Sequence, residues 1–132
     1  MPDRLAHARG WLLKAESDLH AARRVLEGDG PYDTACFHAH QTAEKFLKGF
    51  LTLQDQPIPR THNLEELSRL CQAARPDLDL AGIDLAALTP YAIEIRYDFE
   101  FWPDRDTARE AVALALEVRE AILAVVPPEA RP

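Results

Sequence analysis

The side chains best equipped for chemistry fall in one stretch, CFHAHQTAEKFLKGFL at positions 36–51. His38, His40, Glu44, Lys45 and Lys48 could in principle bind metal, shuttle protons or contact phosphate. On a helix successive residues turn by about 100°, so His38 and His40 point roughly 160° apart. They cannot chelate one ion, which needs a spacing of three or four. The chain carries no Glu-x-x-His, Cys-x-x-Cys or His-Glu-x-x-His, so no metal and no cofactor is expected. Cys36, Ala39, Ala43, Phe46, Leu47 and Phe50 form the apolar face. His40 lies on its flank, one turn before Glu44, and His38 lies opposite with Gln41, Lys45 and Lys48. Two readings follow. His38 is solvated and His40 is a boundary histidine paired with Glu44, or His40, Glu44 and Lys48 line a groove edge that contacts phosphate or a partner.

A second stretch, YAIEIRYDFEFWPD at 91–104, crowds five aromatic rings around Arg96 and several acids. Arg96, Tyr97 and Asp98 put a cation, a phenol and a carboxylate in succession. The rings can pack a bundle end while Arg96 pairs with Glu44 or Asp98. Alternatively Arg96 meets a phosphate and the rings stack a base, or the apolar excess is a dimer surface. Other chemistry is thinly represented. Five glycines form no phosphate loop, and Ser17 and Ser68 sit on helical stretches without a histidine beside them. Cys36 and Cys71 fall on apolar faces and read as buried thiols.

The elements that must position these residues are helices. Leu5, Ala8, Leu12, Ala15, Leu19, Ala22 and Leu26 repeat at three-four spacing, and the helix stops at Gly28. Pro31 suits the first turn of a second helix running to about Gln54. After the loop DQPIPRTH, Asn63 and Glu66 read as a capping box. Leu64, Leu67, Leu70, Cys71 and Ala74 then form the buried face of a short helix ended by Pro76. A fourth helix is expected from Asp84 to about Phe99, with Leu85, Leu88, Ala92 and Ile95 inward and Pro90 near its start. The last runs from about Asp104 to Val126, with Ala108, Ala111, Ala115, Val118, Ile122 and Val125 on one side. No stretch alternates with period two, so the expected fold is all-α: an antiparallel up-and-down bundle of four main helices plus one short helix. One domain spans 1–126, followed by a short proline-rich tail at 127–132.

At 132 residues, with 47% apolar and 28% charged side chains, the composition is globular. The net charge of −7 offers no global field for nucleic acid, so any nucleotide or RNA contact needs a local basic group. No apolar run reaches the length of a membrane span and no signal peptide is visible, which predicts a cytoplasmic protein.

Taken in order, WLLKAESDLHAARRVL, YDTACFHAHQTAEKFLKGFL, PRTHNLEEL and YAIEIRYD resemble the HEPN domain, from about Arg4 to Val126. The second helix is similar to the family pattern FxAQQAAEKxLKAxL, with His40 where glutamine is usual and Thr42 where alanine is usual. The resemblance implies a helical bundle, a homodimer and, for many members, a complex with a minimal nucleotidyltransferase in a toxin–antitoxin-like pair. Other members are metal-independent ribonucleases whose site is Arg, four to six residues, then His. Here Arg96 matches the arginine, but no histidine follows His62. In the RYP-type subgroup, which the chain resembles except for Asp98 in place of proline, that motif is commonly absent.

The resemblance therefore implies a non-catalytic HEPN partner of a minimal nucleotidyltransferase that binds nucleotide or RNA phosphate. The expected site is Arg96, Tyr97 and Asp98, then Glu44, Lys48 and His40, with no catalytic residue. The alternatives are a metal-independent ribonuclease that has recruited His40 or His62, and a dimerising scaffold without a ligand.

Overall fold

The computed structural model describes residues 3–92 and 97–132. Among them no strand occurs, and the chain is the all-helical bundle the periodicity predicts. Helix α1 spans Arg4–Glu27. Asp3 opens it by accepting a hydrogen bond from the Leu5 amide at 3.0 Å, and Gly28 closes it. Its buried face is Ala8, Leu12, Ala15, Leu19 and Ala22. The alternation of alanine with leucine along this face leaves room for a close approach to the next helix.

Helix α2, Tyr32–Leu53, is the central element. Pro31 stands at its N-cap, one position before the first turn, where its carbonyl accepts from the Ala35 amide at 3.4 Å. The rest of the fold wraps α2, which packs against α1 and against the two helices that follow it. A helix so enclosed must be apolar over more than one face. Fourteen of its residues are buried, among them Phe46, Leu47, Phe50 and Leu51. Gly49 marks the tightest approach to α1. A Cβ there would lie 2.9 Å from Leu12 Cδ2 and 3.0 Å from Trp11 Cβ.

Helix α3, Leu64–Ala74, is short and strongly amphipathic. Asn63 caps it, accepting from the Glu66 amide at 3.0 Å. The expected reciprocal bond from Glu66 is not made. Thr61 Oγ1 takes the Asn63 amide instead, at 3.1 Å. Leu64, Leu67 and Cys71 are buried as expected, but Leu70 is 38% exposed and Ser68 takes a buried place.

The segment expected as a fourth helix from Asp84 opens instead as two 3-10 turns, Leu85–Ala87 and Thr89–Ala92. Pro90 lies inside the second, where the tighter winding tolerates its missing N–H. Leu85, Leu88 and Ala92 face inward, while Ile95 lies outside the described residues. Helix α4, Arg105–Leu123, starts at Asp104, whose side chain accepts from the Thr107 amide at 2.8 Å. That hydrogen bond holds the Asp104 carboxyl below its usual range. Ala108, Ala111, Ala115, Val118 and Ile122 bury its inner face, and Val125 beyond it is only half-buried.

The proline-rich end folds back on the bundle. Ala130 is buried, and Arg131 donates to the Leu123 carbonyl at 3.0 Å and the Val126 carbonyl at 3.3 Å. Its own carbonyl accepts from Arg9 Nε at 3.0 Å, tying the end of the chain to α1. Both thiols are enclosed and free. Burial pushes each up to about 12.

Candidate functional site

Glu44 is the centre of the polar chemistry inside the bundle. It sits on the buried surface of α2, where an unpaired carboxylate would carry a large desolvation penalty. Three side chains surround it. Lys48, one turn on, brings Nζ to 3.1 Å from Oε2. His62, from the loop before α3, brings Nδ1 to 2.7 Å from Oε1. His40, one turn back, places Nδ1 4.0 Å from Oε1, too far for a hydrogen bond.

The tautomers follow from the partners. His40 Nε2 lies 3.0 Å from the His62 carbonyl, which can only accept, so Nε2 carries the proton. Neutral His40 therefore turns a lone pair at Nδ1 toward Glu44, and that buried atom has no hydrogen-bond partner. Burial lowers the His40 pKa, and Glu44 opposes the shift without reversing its direction. His62 is the reverse case. Its Nδ1 faces a carboxylate, which can only accept, so Nδ1–H donates. The His62 ring is 63% exposed.

The same two α2 residues thus fix both ends of His62: His40 holds its carbonyl and Glu44 its ring. Lys48 is buried too, with Nζ 5.9 Å from the centre of the Trp11 ring, a cation–π contact reaching into α1. Trp11 Nε1 is the other buried polar atom without a partner among the described residues.

His40, Glu44 and Lys48 lie along one ridge of α2 as expected, but they point inward rather than along a groove edge. His40 is wholly buried, not a boundary residue. Lys48 does not share the wet side with His38. His38 is not simply solvated either: its Nδ1 lies 2.8 Å from Asp18 Oδ1, and Lys45 Nζ bonds the other oxygen. Asp18 thereby joins α1 to α2 twice, and Glu16 joins α1 to α4 through Arg119.

Arg96 lies outside the described residues. Its two successors are on the surface: Asp98 is exposed and Tyr97 is 73% exposed. The turn that follows presents Phe99 at 86% and Trp102 at 72% exposure. Large rings this open are unusual in a folded chain. The turn is nevertheless internally bonded. Asp98 accepts from the Glu100 amide at 3.0 Å, and Trp102 Nε1 donates to the Phe99 carbonyl at 3.0 Å. Phe101 anchors it, its ring centre 5.8 Å from that of Tyr91. The sequence stretches that looked most chemical therefore separate into a buried clamp around Glu44 and an open aromatic turn after Arg96.

His62 entered the sequence reading only as a histidine that the ribonuclease alternative could recruit, not as a binding residue. Its signal was the pair TH immediately before an N-cap, which fixes a histidine at the mouth of a helix but does not reveal the buried acid it meets. Among the described residues no group of three or more His, Cys, Asp or Glu is arranged to hold a metal ion, and no helix is long and apolar enough to cross a membrane.

These features define a small all-α bundle built around one enclosed helix that carries a buried polar cluster. The HEPN domain matches residues 8–125, and the chain belongs to that family. The crystal structure of TT1696 from Thermus thermophilus is similar at 27% identity and a TM-score of 0.69, covering 89% of this chain and 96% of that one. No curated protein matches. Membership carries a nucleotide- or RNA-related role in general, and HEPN domains often pair or dimerise.

Proposed function

We propose that the chain is a cytoplasmic, homodimeric, non-catalytic HEPN partner of a minimal nucleotidyltransferase, of the RYP type, that binds nucleotide or RNA phosphate within a toxin–antitoxin-like pair. The observation that carries this reading is the open aromatic turn directly after Arg96, with Tyr97, Phe99 and Trp102 all exposed. An arginine next in sequence to exposed rings suits a phosphate with a stacked base. In a chain of net charge −7, such a local group is what anion binding requires. Arg96 would meet the phosphate, with Tyr97 and Asp98 beside it. Glu44, Lys48 and His40 are the further binding residues of this reading, and their burial is what it must accommodate. The absence of any histidine after His62 argues against the family's Arg–His ribonuclease motif.

Calorimetric titration with ATP and with a short single-stranded RNA tests the site. Saturable binding that falls at least tenfold in Arg96→Ala and Tyr97→Ala is expected. Co-expression with a nucleotidyltransferase encoded beside this chain should yield a stable complex by gel filtration. Equal affinity in wild type and Arg96→Ala would refute the site.

A further inference from the structure

Helices α1 and α4 each leave one ridge uncovered, and the two ridges share a spacing. On α1 the exposed residues run Ala6, Gly10, Leu13, Ser17, His20 and Arg24; on α4 they run Asp106, Glu110, Ala113, Glu117 and Glu120. Both advance by alternate steps of four and three, the period with which one helix lies along another. Gly10 marks the first ridge as a place of close approach. Its backbone is not left-handed, and a Cβ there would meet nothing within 4 Å. Glycine inside a helix is less stable than alanine. No neighbour among the described residues accounts for it, whereas a second helix lying across it would. Beside it an open depression of about 330 Å³ is lined by Ala6, His7, Gly10, Trp11 and Lys14, and Leu13 is 42% exposed.

Ion pairs within the chain leave the two ridges opposite in sign. Of the carboxylates in α1, Glu16 is taken by Arg119 and Asp18 by His38 and Lys45, which leaves Glu27. Arg4, Lys14, Arg23 and Arg24 make no ion pair among the described residues. On α4 the cations are the engaged groups, Arg119 by Glu16 and Arg109 by Asp106. Arg105, the remaining cation, stands at the start of the helix. Toward its end, Glu117 and Glu120 join Asp79 around an open depression of about 400 Å³, and neither glutamate has an ion pair among the described residues.

We infer that the α1 ridge is a docking surface for a second copy of this chain, which lays the acidic ridge of its α4 against it. The inference rests on the reading that the chain associates with itself, and it names the surface. An RNA strand would use the cations of α1 but neither the glycine nor the exposed leucine. A helix of small and acidic residues uses all three. Because the two ridges are unlike, the contact is made twice about a two-fold axis or continues head to tail.

Light scattering of the full chain tests the contact. In about 50 mM salt the mass should match two chains or more, and it should fall in about 0.5 M salt, which screens charges at a surface. Lys14→Glu/Arg24→Glu and Glu117→Lys/Glu120→Lys should each weaken association by about tenfold or more. Mixed in equal amounts the two variants should associate again, since an acidic α1 then faces a basic α4. Misfolded chains could not give that recovery. Arg60→Glu/Arg69→Glu, exposed on other elements, changes the net charge as much and should leave the mass at the wild-type value. Gly10→Gln should weaken association without lowering the melting midpoint in high salt, because the single chain has room for the side chain. Association that survives both charge reversals, or no recovery on mixing, overturns the α1–α4 contact and leaves a homodimer through another face. A wild-type chain that is monomeric at both salt concentrations overturns both readings. Unchanged association in Gly10→Gln overturns the close approach of the helices. If Lys14→Glu/Arg24→Glu keeps its mass but loses binding to a short single-stranded RNA, the face serves nucleic acid and the proposal falls.

Discussion

Lys48→Met removes the ammonium from a buried carboxylate while keeping most of the side chain's apolar length. In the wild type, Glu44 meets Lys48 Nζ at 3.1 Å and His62 Nδ1 at 2.7 Å. Both members of the lysine–glutamate pair are more than nine-tenths enclosed. Removing one partner of such a pair generally costs about 3–5 kcal/mol, because the remaining charge stays desolvated. His62 still donates to Glu44 in the variant, so the low end, about 3 kcal/mol, is the expected loss. For a domain of this size each kcal/mol moves the melting midpoint by about 4 °C, which places the variant about 12 °C below wild type. Removing both charges separates this cause from lost packing. In the Glu44→Gln/Lys48→Met double variant no buried ion remains, and most of the loss should be recovered, leaving a deficit of about 1 kcal/mol. Urea unfolding followed by circular dichroism measures all four corners of the cycle. A Lys48→Met loss under about 1 kcal/mol, or a double variant no more stable than the single, would refute the argument that Glu44 is a buried charge held by Lys48.

Three further outcomes follow from the same geometry. Burial keeps His40 neutral in the fold, so its pKa there lies below that of the unfolded chain. The unfolded state then binds the extra proton first: stability is full above the unfolded value near about 6.5 and falls as pH drops below it. The urea midpoint should decline from pH 7.5 to 5.5, less steeply in His40→Gln, which retains a donor for the His62 carbonyl; an equal or steeper decline in that variant would contradict the assignment. Cys36 and Cys71, raised to about 12, should be inert to Ellman's reagent at pH 8 in the native chain and both react in urea. Phe46→Ala should cost about 3–5 kcal/mol, whereas Phe99→Ala, from a ring 86% exposed, should stay within about 0.5 kcal/mol by the same urea assay.

The bundle was legible because its signals are local. Alanine and leucine at three-four spacing define the inner face of α1, and Asn63 and Asp104 cap α3 and α4 through bonds to residues three positions on. The misreadings arise where tertiary contacts override such patterns. Leu70 fits the apolar stripe of α3, but the helix is rotated so that Ser68 is covered instead. Proline and short hydrogen-bonded turns divide the stretch after Asp84, although its apolar spacing suits one helix. The site was less legible for a related reason. A helical wheel assigns Lys48 to the wet side and His40 to a boundary, because it assumes that one face of a helix is buried. Helix α2 is covered by three neighbours, so polar side chains on its flanks are enclosed and must find partners. The other partner of Glu44, His62, lies 18 residues away across a loop, and no periodicity connects them.

The fate of the motif that identifies the family has a consequence for where its members differ. Within Ala-Glu-Lys-x-Leu-Lys, Ala43 and Leu47 are core, Lys45 is tied to Asp18 on α1, and Glu44 and Lys48 neutralise one another inside the bundle. Every position of the frame is occupied with holding α2 to its neighbours. A sequence match through this frame therefore reports the architecture, and none of its side chains is free to choose a ligand. The exposed groups lie elsewhere: the aromatic turn at 97–102, and the imidazole of His62, which Glu44 holds with its ring 63% exposed. Substitutions at Phe99 or Trp102 can change what the surface meets without touching α2. A substitution at Glu44 cannot, since the same carboxylate balances Lys48 and orients His62. The buried clamp and the outward ring are thus coupled through a single side chain, so stability and any chemistry at His62 change together when Glu44 is altered and separate only when His62 itself is replaced.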